Sequence, residues 1–491
     1  MLVGTIYGEV RQTLFDILLE NQGVGKGSYV KVNHETDGWV LARIESMRRF
    51  MDDLEEVAVA KARTIGYRRE GNIMLPKTPF KPKEKVYSAD RKLIVDTLGL
   101  KENRSGNIYL GVLDGQDVPI FLDIKKTVSK HVSVLAKTGA GKTYTVGVLL
   151  EELLKADVPI VIIDPHDEYS TLKRENNDSE MSKYGVTPRS YERQITSYTV
   201  GFESPGSRQL VLNPKFDLYE LIDIMPIRLN DRQKAVIYNS LQRIGHENYT
   251  LDELIEEVKA DSDKAKWKVI SGLETLRDSG IFDGRPVSKH ELVRPGHASI
   301  INLKNTDPHI QQLVVAKIAR ELFEAKKRDE LPNFLFLIEE AHNFCPERSF
   351  GDAISSGILR TIASEGRKFG FNLCIVTQRP ARIDKSVLSQ CNTQIILKVT
   401  NPNDLRAIGQ SIEGFTPDME EDIKQLPTGH ALVVGGCVEQ PITVEVRIRE
   451  TLHGGSIKAG KEPLKKPPKR GSVRISFSKR LKIAIKKIFL K

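Results

Sequence analysis

The hydrophobic pattern of this chain changes character along its length. Up to about residue 90 the apolar positions come in short runs rich in β-branched and aromatic residues: Leu2 to Val10, Ser28 to Asn33, Gly38 to Ile44 and Val57 to Tyr67. Glycine-containing breaks such as Gly23-Val24-Gly25-Lys26-Gly27 separate several of them, as in short strands joined by turns. Asn107 to Leu113 and Val118 to Asp123 read as two more strands. Short antiparallel strands must close or stack to hide their edges, so residues 1–125 are expected to form a small β-barrel or sandwich.

From His131 onward, short apolar runs alternate with longer stretches of helical spacing. The runs are His131 to Ala136, Val158 to Ile163, Ala298 to Leu303, Phe334 to Ile338, Asn372 to Val376, Gln394 to Val399 and Ala431 to Val434. Continuous apolar strands of this kind are buried on both faces of a parallel sheet. Lys142 to Lys155, Gln311 to Ala325 and Ala353 to Phe369 supply helices between them. The pattern predicts an α/β doubly wound core. Phe216 to Phe282 interrupts it without a convincing strand, and Thr250-Leu251-Asp252-Glu253 has the spacing of a capping box. The expected division is therefore core over 126–215, helical insertion over 216–290 and core again over 291–450. The remainder, 451–491, reads as a proline-broken basic linker ending in an amphipathic stretch, Arg474 to Lys491.

Composition narrows the class. With 491 residues, 40% hydrophobic and 28% charged, the chain suits a soluble protein of several domains. Its apolar runs fall far short of the roughly 20 residues that span a bilayer, and Met1 to Glu20 lacks the pattern of a secretory signal. Four cysteines, none at CxxC spacing, give no support to a zinc site or a disulfide framework. The expectation is a cytoplasmic protein without a membrane partner. The net charge of +9 is uneven: 451–491 holds thirteen Lys and Arg against Glu462 alone, leaving the first 450 residues at −3. Overall basicity is thus no argument for nucleic-acid binding by the core.

The candidate chemistry begins at Ala136-Lys137-Thr138-Gly139-Ala140-Gly141-Lys142-Thr143, between an expected strand and an expected helix. Gly139 and Gly141 let successive backbone N–H groups turn inward as an anion cradle, together with Ala140 and Thr138. The following helix adds its positive end. Lys142 can reach the β- and γ-phosphates of ATP, and Thr143 can offer its hydroxyl to Mg²⁺. Ala136 stands where such loops commonly open on glycine. A second element is the run into Glu339-Glu340-Ala341-His342, paired carboxylates at the edge where open α/β sheets bind ligands. Glu339 would serve the metal, through water or directly, and Glu340 would orient and deprotonate the attacking water. Asp164, at the end of a neighbouring strand, is a further candidate for the metal or a turn former. Gln378 can sense the γ-phosphate, and Arg360 and Arg367, seven apart on one helix face, are candidates for a charge supplied to a neighbouring subunit's site. His166 and His342 read as surface polar residues.

Five segments then follow in order: Thr-Gly-Ala-Gly-Lys-Thr, Asp-Pro-His-Asp-Glu-Tyr, Ile-Glu-Glu-Ala-His-Asn-Phe, Glu-Gly-Arg-Lys-Phe-Gly and Thr-Gln-Arg-Pro. Together they resemble the archaeal HerA DNA translocases, in the HerA–FtsK branch of RecA-like motor ATPases, over nearly the whole chain. The resemblance implies a RecA-like P-loop core with an N-terminal small β-barrel, an inserted helical subdomain and a basic C-terminal extension. It further implies an ATP- and Mg²⁺-dependent homohexamer that pumps double-stranded DNA, nucleoid-associated, with a NurA-type nuclease and the break-processing machinery as partners. Carried over by residue, Lys142 and Thr143 become the Walker A pair, Glu340 the catalytic base, Arg367 the arginine acting in trans and Gln378 the polar sensor. Asp167 departs from the family's glycine. Pore cations are sought at Lys173 and Arg174 or at Arg189 and Arg193, and the terminal stretch is read as a brace between subunits. Two alternatives are an ATP-gated clamp or scaffold for a nuclease, and a conjugation- or secretion-type pump.

Overall fold

The computed structural model describes residues 1–20, 23–52, 55–201, 206–214, 218–227, 229–245 and 249–454. The terminal stretch read as a brace lies outside the described residues.

The N-terminal strands are β1 (Leu2–Val10), β2 (Leu14–Leu19), β3 (Tyr29–His34), β4 (Gly38–Asp52), β5 (Glu55–Arg69), β6 (Asn72–Met74) and β7 (Lys85–Ser88). Pairing runs β2-β1-β7-β3-β4-β5, and β5 returns to β2, so six strands close into a barrel and β6 lies outside the ring. Closure removes the edges that short strands would otherwise expose. The interior is filled by alternate residues, among them Val3, Ile6, Phe15, Ile17, Val30, Val32, Val40 and Ile44.

After α1 (Arg91–Leu98) come β8 (Asn107–Leu113), β9 (Pro119–Asp123) and the short α2 (Ile124–Val128). Here the structure corrects the sequence reading, because β8 and β9 do not extend the barrel. They form one edge of the core sheet. β8 is buried on both faces, and Gly111 lies so close to the Glu445 carbonyl of the adjoining strand that a Cβ would collide with it.

The core continues with β10 (His131–Leu135), α3 (Lys142–Lys155), β11 (Ile160–Asp164), β12 (Ile195–Thr199) and β13 (Ser207–Gln209). The insertion is helical: α4 (Leu218–Ile224), α5 (Asp231–Ile244), α6 (Leu251–Ala260), α7 (Lys266–Asp278) and α8 (Lys289–Leu292). Thr250 and Glu253 form the reciprocal capping box that their spacing suggests, as do Asn230 and Gln233 at the head of α5. Then follow β14 (Ala298–Asn302), α9 (Pro308–Lys327), β15 (Phe334–Ile338), α10 (Ser356–Phe369), β16 (Phe371–Thr377), α11 (Lys385–Ser389), β17 (Cys391–Ile396), α12 (Pro402–Ser411), α13 (Pro417–Gln425), β18 (His430–Gly435) and β19 (Ile442–Val446).

The sheet order is β13-β12-β14-β11-β15-β16-β10-β17-β18-β19-β8-β9. Pairs from β13 to β17 are parallel and the rest are antiparallel. Every residue of β10, β11, β15 and β16 is buried, as expected for strands covered on both faces. All parallel strands end at the same edge, which gathers the loops after β10, β11, β15 and β16.

A buried ionic cluster fixes the helix behind the glycine-rich loop. Glu151 and Glu152 of α3 meet Arg447, at 3.0 and 2.8 Å, and both the arginine and Glu151 are fully buried. Arg449 packs its guanidinium over Gly147, where a Cβ would overlap it. Cys345, Cys374 and Cys391 are buried free thiols.

Candidate nucleotide-hydrolysis site

The loop between β10 and α3 is anchored on both sides. Ala136 N–H donates to the Thr377 carbonyl at 3.3 Å, and Lys137 N–H to that of Lys398 at 2.8 Å. Gly139 and Gly141 take φ of +78° and +99°, the left-handed region where glycine has no steric penalty. Nothing lies within 4 Å of a Cβ built on Gly139, so its glycine is required by the backbone conformation rather than by a close neighbour. Thr138 donates its hydroxyl to the Gln378 side chain at the end of β16. Ala140 N–H turns back onto the Lys137 carbonyl at 3.2 Å, and the loop leads directly into the head of a 14-residue helix, whose positive end suits an anion.

Lys142 is 5% exposed and points from α3 into the paired carboxylates that follow β15. It forms an ion pair with Glu339 and lies 3.5 Å from Glu340 Oε1. Burial lowers the ammonium pKa, opposed chiefly by the charge of Glu340. Glu339 is wholly buried, and its Oε2 accepts from the Tyr169 hydroxyl at 2.6 Å. Glu340 Oε1 accepts from Gln378 Nε2 at 2.7 Å. The backbone at Glu340 is left-handed, with φ of +48°, a conformation that costs a non-glycine residue about 1–2 kcal/mol. Such strain is tolerated where the surrounding structure overdetermines a residue's position. Lys142 of α3 and Gln378 after β16 thus meet on one carboxylate oxygen.

His342 departs from its sequence reading. Its ring is largely buried, with Nδ1 3.0 Å from Thr377 Oγ1 and 3.3 Å from Glu340 Oε2. Burial lowers its pKa, against the opposing pull of Glu340. His166 is exposed, as a surface residue should be.

Asp164 ends β11 and is turned toward its own chain. Its Oδ1 accepts from the N–H groups of His166 and Glu168, and its Oδ2 from that of Tyr169. Burial pushes its pKa up to about 6. This carboxyl shapes the turn, the second of the two roles its position allowed. Asp167 adopts φ of +61° in the same turn. That is the conformation a glycine would take freely, and an Asp tolerates it better than most residues. Glu168 then accepts from the Thr143 hydroxyl at 2.5 Å. Sequence reasoning assigned nothing to Glu168 or Tyr169, although both stand in the Asp-Pro-His-Asp-Glu-Tyr segment. Two adjacent residues contacting two different walls is a tertiary fact without a periodic signature.

Chemically, the site offers the Thr143 hydroxyl, Glu339 and Glu340 beside the glycine-rich loop. Buried Glu339 Oε1 is paired with Lys142, and buried Glu340 Oε2 lies 3.3 Å from the His342 ring. Among the described residues no group of three or more His, Cys, Asp or Glu forms a protein-only metal cage. That donor set fits Mg²⁺, which keeps waters and takes one or two protein ligands beside substrate phosphates.

Arg367 and Arg360 separate. Arg360 is tied within its own chain, 2.7 Å from Asp384. Arg367 is exposed and has no ion pair among the described residues. It sits four residues before β16, whereas Gln378 follows that strand. The seven residues of β16 put about 20 Å between Arg367 and its own phosphate loop.

Comparison with known proteins agrees with this architecture. The profile of the helicase HerA central domain matches residues 108–322, and that of the HAS barrel domain matches residues 3–70. The DNA double-strand break repair helicase HerA of Pyrococcus furiosus is 27% identical over 544 residues, covering 92% of this chain and 93% of that protein. A probable DNA double-strand break repair helicase HerA of Methanocaldococcus jannaschii is 28% identical over 485 residues, covering 87% and 92%. Among solved structures, VirB4 of Thermoanaerobacter pseudethanolicus shares the fold, with a TM-score of 0.53 and 17% identity over 70% of this chain and 97% of that one. With a closed HAS barrel and a P-loop sheet, the chain carries the HerA central domain behind a HAS barrel and is similar to HerA helicases over nearly its whole length.

Proposed function

We propose that the chain is an ATP-hydrolysing motor that translocates double-stranded DNA, working as a homohexamer beside a NurA-type nuclease in the processing of DNA ends. The observation that carries the DNA part is a groove of about 680 Å³ beside the phosphate loop. Its walls include Lys137, Arg379, Arg382, Lys385 and Arg406. None of these five has an ion pair among the described residues. The acids in the wall are engaged with backbone, Glu347 accepting from Lys385 N–H and Asp404 from Ala381 N–H. Exposed Phe350 lies under Arg382 at 5.3 Å. Uncompensated cations suit a polyanion whose phosphates are gripped without sequence preference. A core that is slightly acidic overall therefore has a locally basic edge. That edge is a different set from Lys173, which donates to the Gly206 carbonyl, and Arg189, which stacks on Tyr191.

The hydrolytic step follows from the chain's own groups. The cradle and Lys142 bind the phosphates, with Lys142 leaving its carboxylates to do so. Bound Mg²⁺ supplies charge neutralisation at the phosphates. Glu340, held by Gln378, orients water and accepts its proton. Arg379 adjoins Gln378 in sequence, so phosphates in the groove lie one residue from the side chain that holds the base. The position of Arg367, remote from its own loop and unpaired, supports its insertion into the next subunit's site. Among the described residues no helix is long and apolar enough to cross a membrane.

The test is duplex binding and ATPase stimulation by an Arg379→Ala/Arg382→Ala double variant. Weaker binding, a shallower salt dependence and lost DNA stimulation with intact basal hydrolysis are expected. Undiminished binding would reject the groove as the DNA path.

A further inference from the structure

We propose that Glu168 is a positioning residue for the divalent cation: it accepts the hydrogen bond of the Thr143 hydroxyl so that the threonine oxygen faces the metal, and Tyr169 holds Glu339 for the same ion. The inference rests on the nucleotide-hydrolysis reading and adds two residues to it.

The turn after β11 is built for this delivery. Asp164 gathers the N–H groups of residues 166, 168 and 169, and Asp167 accepts a left-handed backbone to let the chain reverse. As a result Glu168 and Tyr169, consecutive in sequence, reach two different elements of the site. Glu168 Oε2 lies 2.5 Å from Thr143 Oγ1 at the head of α3. The Tyr169 hydroxyl lies 2.6 Å from Glu339 Oε2 at the end of β15. Tyr169 is fully buried, and its phenol donates to Glu339.

A hydroxyl that ligates a cation through oxygen must give its hydrogen to another acceptor. Glu168 is that acceptor, and its charge makes the bond strong. Glu339, with Oε2 bound by Tyr169, has its buried Oε1 paired with Lys142, the group that would turn to the phosphates and leave that oxygen to the ion. The turn therefore fixes both oxygen donors from behind, the arrangement by which outer groups orient metal ligands.

The experiment measures binding of a fluorescent ATP analogue in Mg²⁺ and in EDTA for the wild type and for Glu168→Ala, Glu168→Gln and Tyr169→Phe. Mn²⁺ titration followed by electron paramagnetic resonance supplies a readout independent of turnover. In Glu168→Ala the Mg²⁺-dependent gain in affinity is expected to fall by about 10-fold or more, with affinity in EDTA unchanged. Glu168→Gln, which keeps an acceptor, recovers part of that gain, and Tyr169→Phe loses part of it. A merely structural role would weaken binding equally in Mg²⁺ and EDTA, and that result, or a full metal-dependent gain in Glu168→Ala, overturns the proposal. No binding by the wild type in either condition overturns the nucleotide reading itself.

Discussion

Gln378 holds Glu340 across the strand edge: its amide nitrogen donates to the carboxylate at 2.7 Å, while its oxygen accepts from Thr138 in the phosphate loop. One amide therefore joins the loop that would bind phosphate to the carboxylate that would activate water. Because the Glu340 backbone is left-handed, its direction depends on such partners. Glu340→Gln is expected to leave ATP binding intact and to lower turnover by about 10²–10⁴-fold. Gln378→Ala should lower turnover by a smaller factor at unchanged ATP affinity. Equilibrium nucleotide binding and steady-state phosphate release measure both, and wild-type turnover in Glu340→Gln would refute its role.

Arg367 carries a prediction about assembly. Arg367→Ala should assemble normally and lose about 10³-fold or more in activity. Mixing it with a Lys142→Ala subunit, which keeps its arginine, should restore part of the rate. The mixing titration is the measurement, and an unassembled Arg367→Ala without rescue would mean that the arginine serves the fold.

The ionic cluster behind α3 predicts a stability effect. Arg447→Met leaves Glu151 and Glu152 buried with reduced compensation. Loss of one partner from a buried pair costs about 3–5 kcal/mol, which chemical denaturation should reveal as a lower midpoint. An unchanged midpoint would show that Lys155 and the surrounding N–H donors suffice.

A pH dependence follows from His430 and Asp114, 3.3 Å apart. The hydrogen bond to Asp114 raises the His430 pKa, and the same bond lowers that of Asp114. A raised histidine stabilises the fold below its unfolded value of about 6.5 and ceases to do so as pH rises through the folded value. A lowered aspartate stabilises above about 3.8 and ceases to do so on acidification. Their joint contribution is thus greatest between those limits. Relative to Asp114→Asn, the wild type should be more thermostable at pH 5.5, with the difference shrinking by pH 8. Parallel melting profiles across that range would contradict the coupling.

The sequence makes some parts of this site readable and hides others for physical reasons. The strand, glycine-rich turn and helix around Lys142 are local, so composition and order suffice to place them. The fully apolar runs of β11, β15 and β16 likewise declare double-sided burial. The allegiance of β8 is not local: a strand's own residues do not name its neighbour, and β19 decides it. Arg360 and Arg367 share a helix face and differ only through Asp384, which lies on another element. His342 looks like a surface residue because its burial comes from the Thr377 and Glu340 side of the fold. Glu168 and Tyr169 show no periodicity because their turn is set by Asp164 and the left-handed Asp167.

The most direct test of the central claim is the ATPase rate of the purified chain with Mg²⁺, measured with and without linear duplex DNA. The account predicts hydrolysis that duplex DNA accelerates, with the acceleration lost in the Arg379→Ala/Arg382→Ala variant. Absence of hydrolysis in both conditions would contradict it.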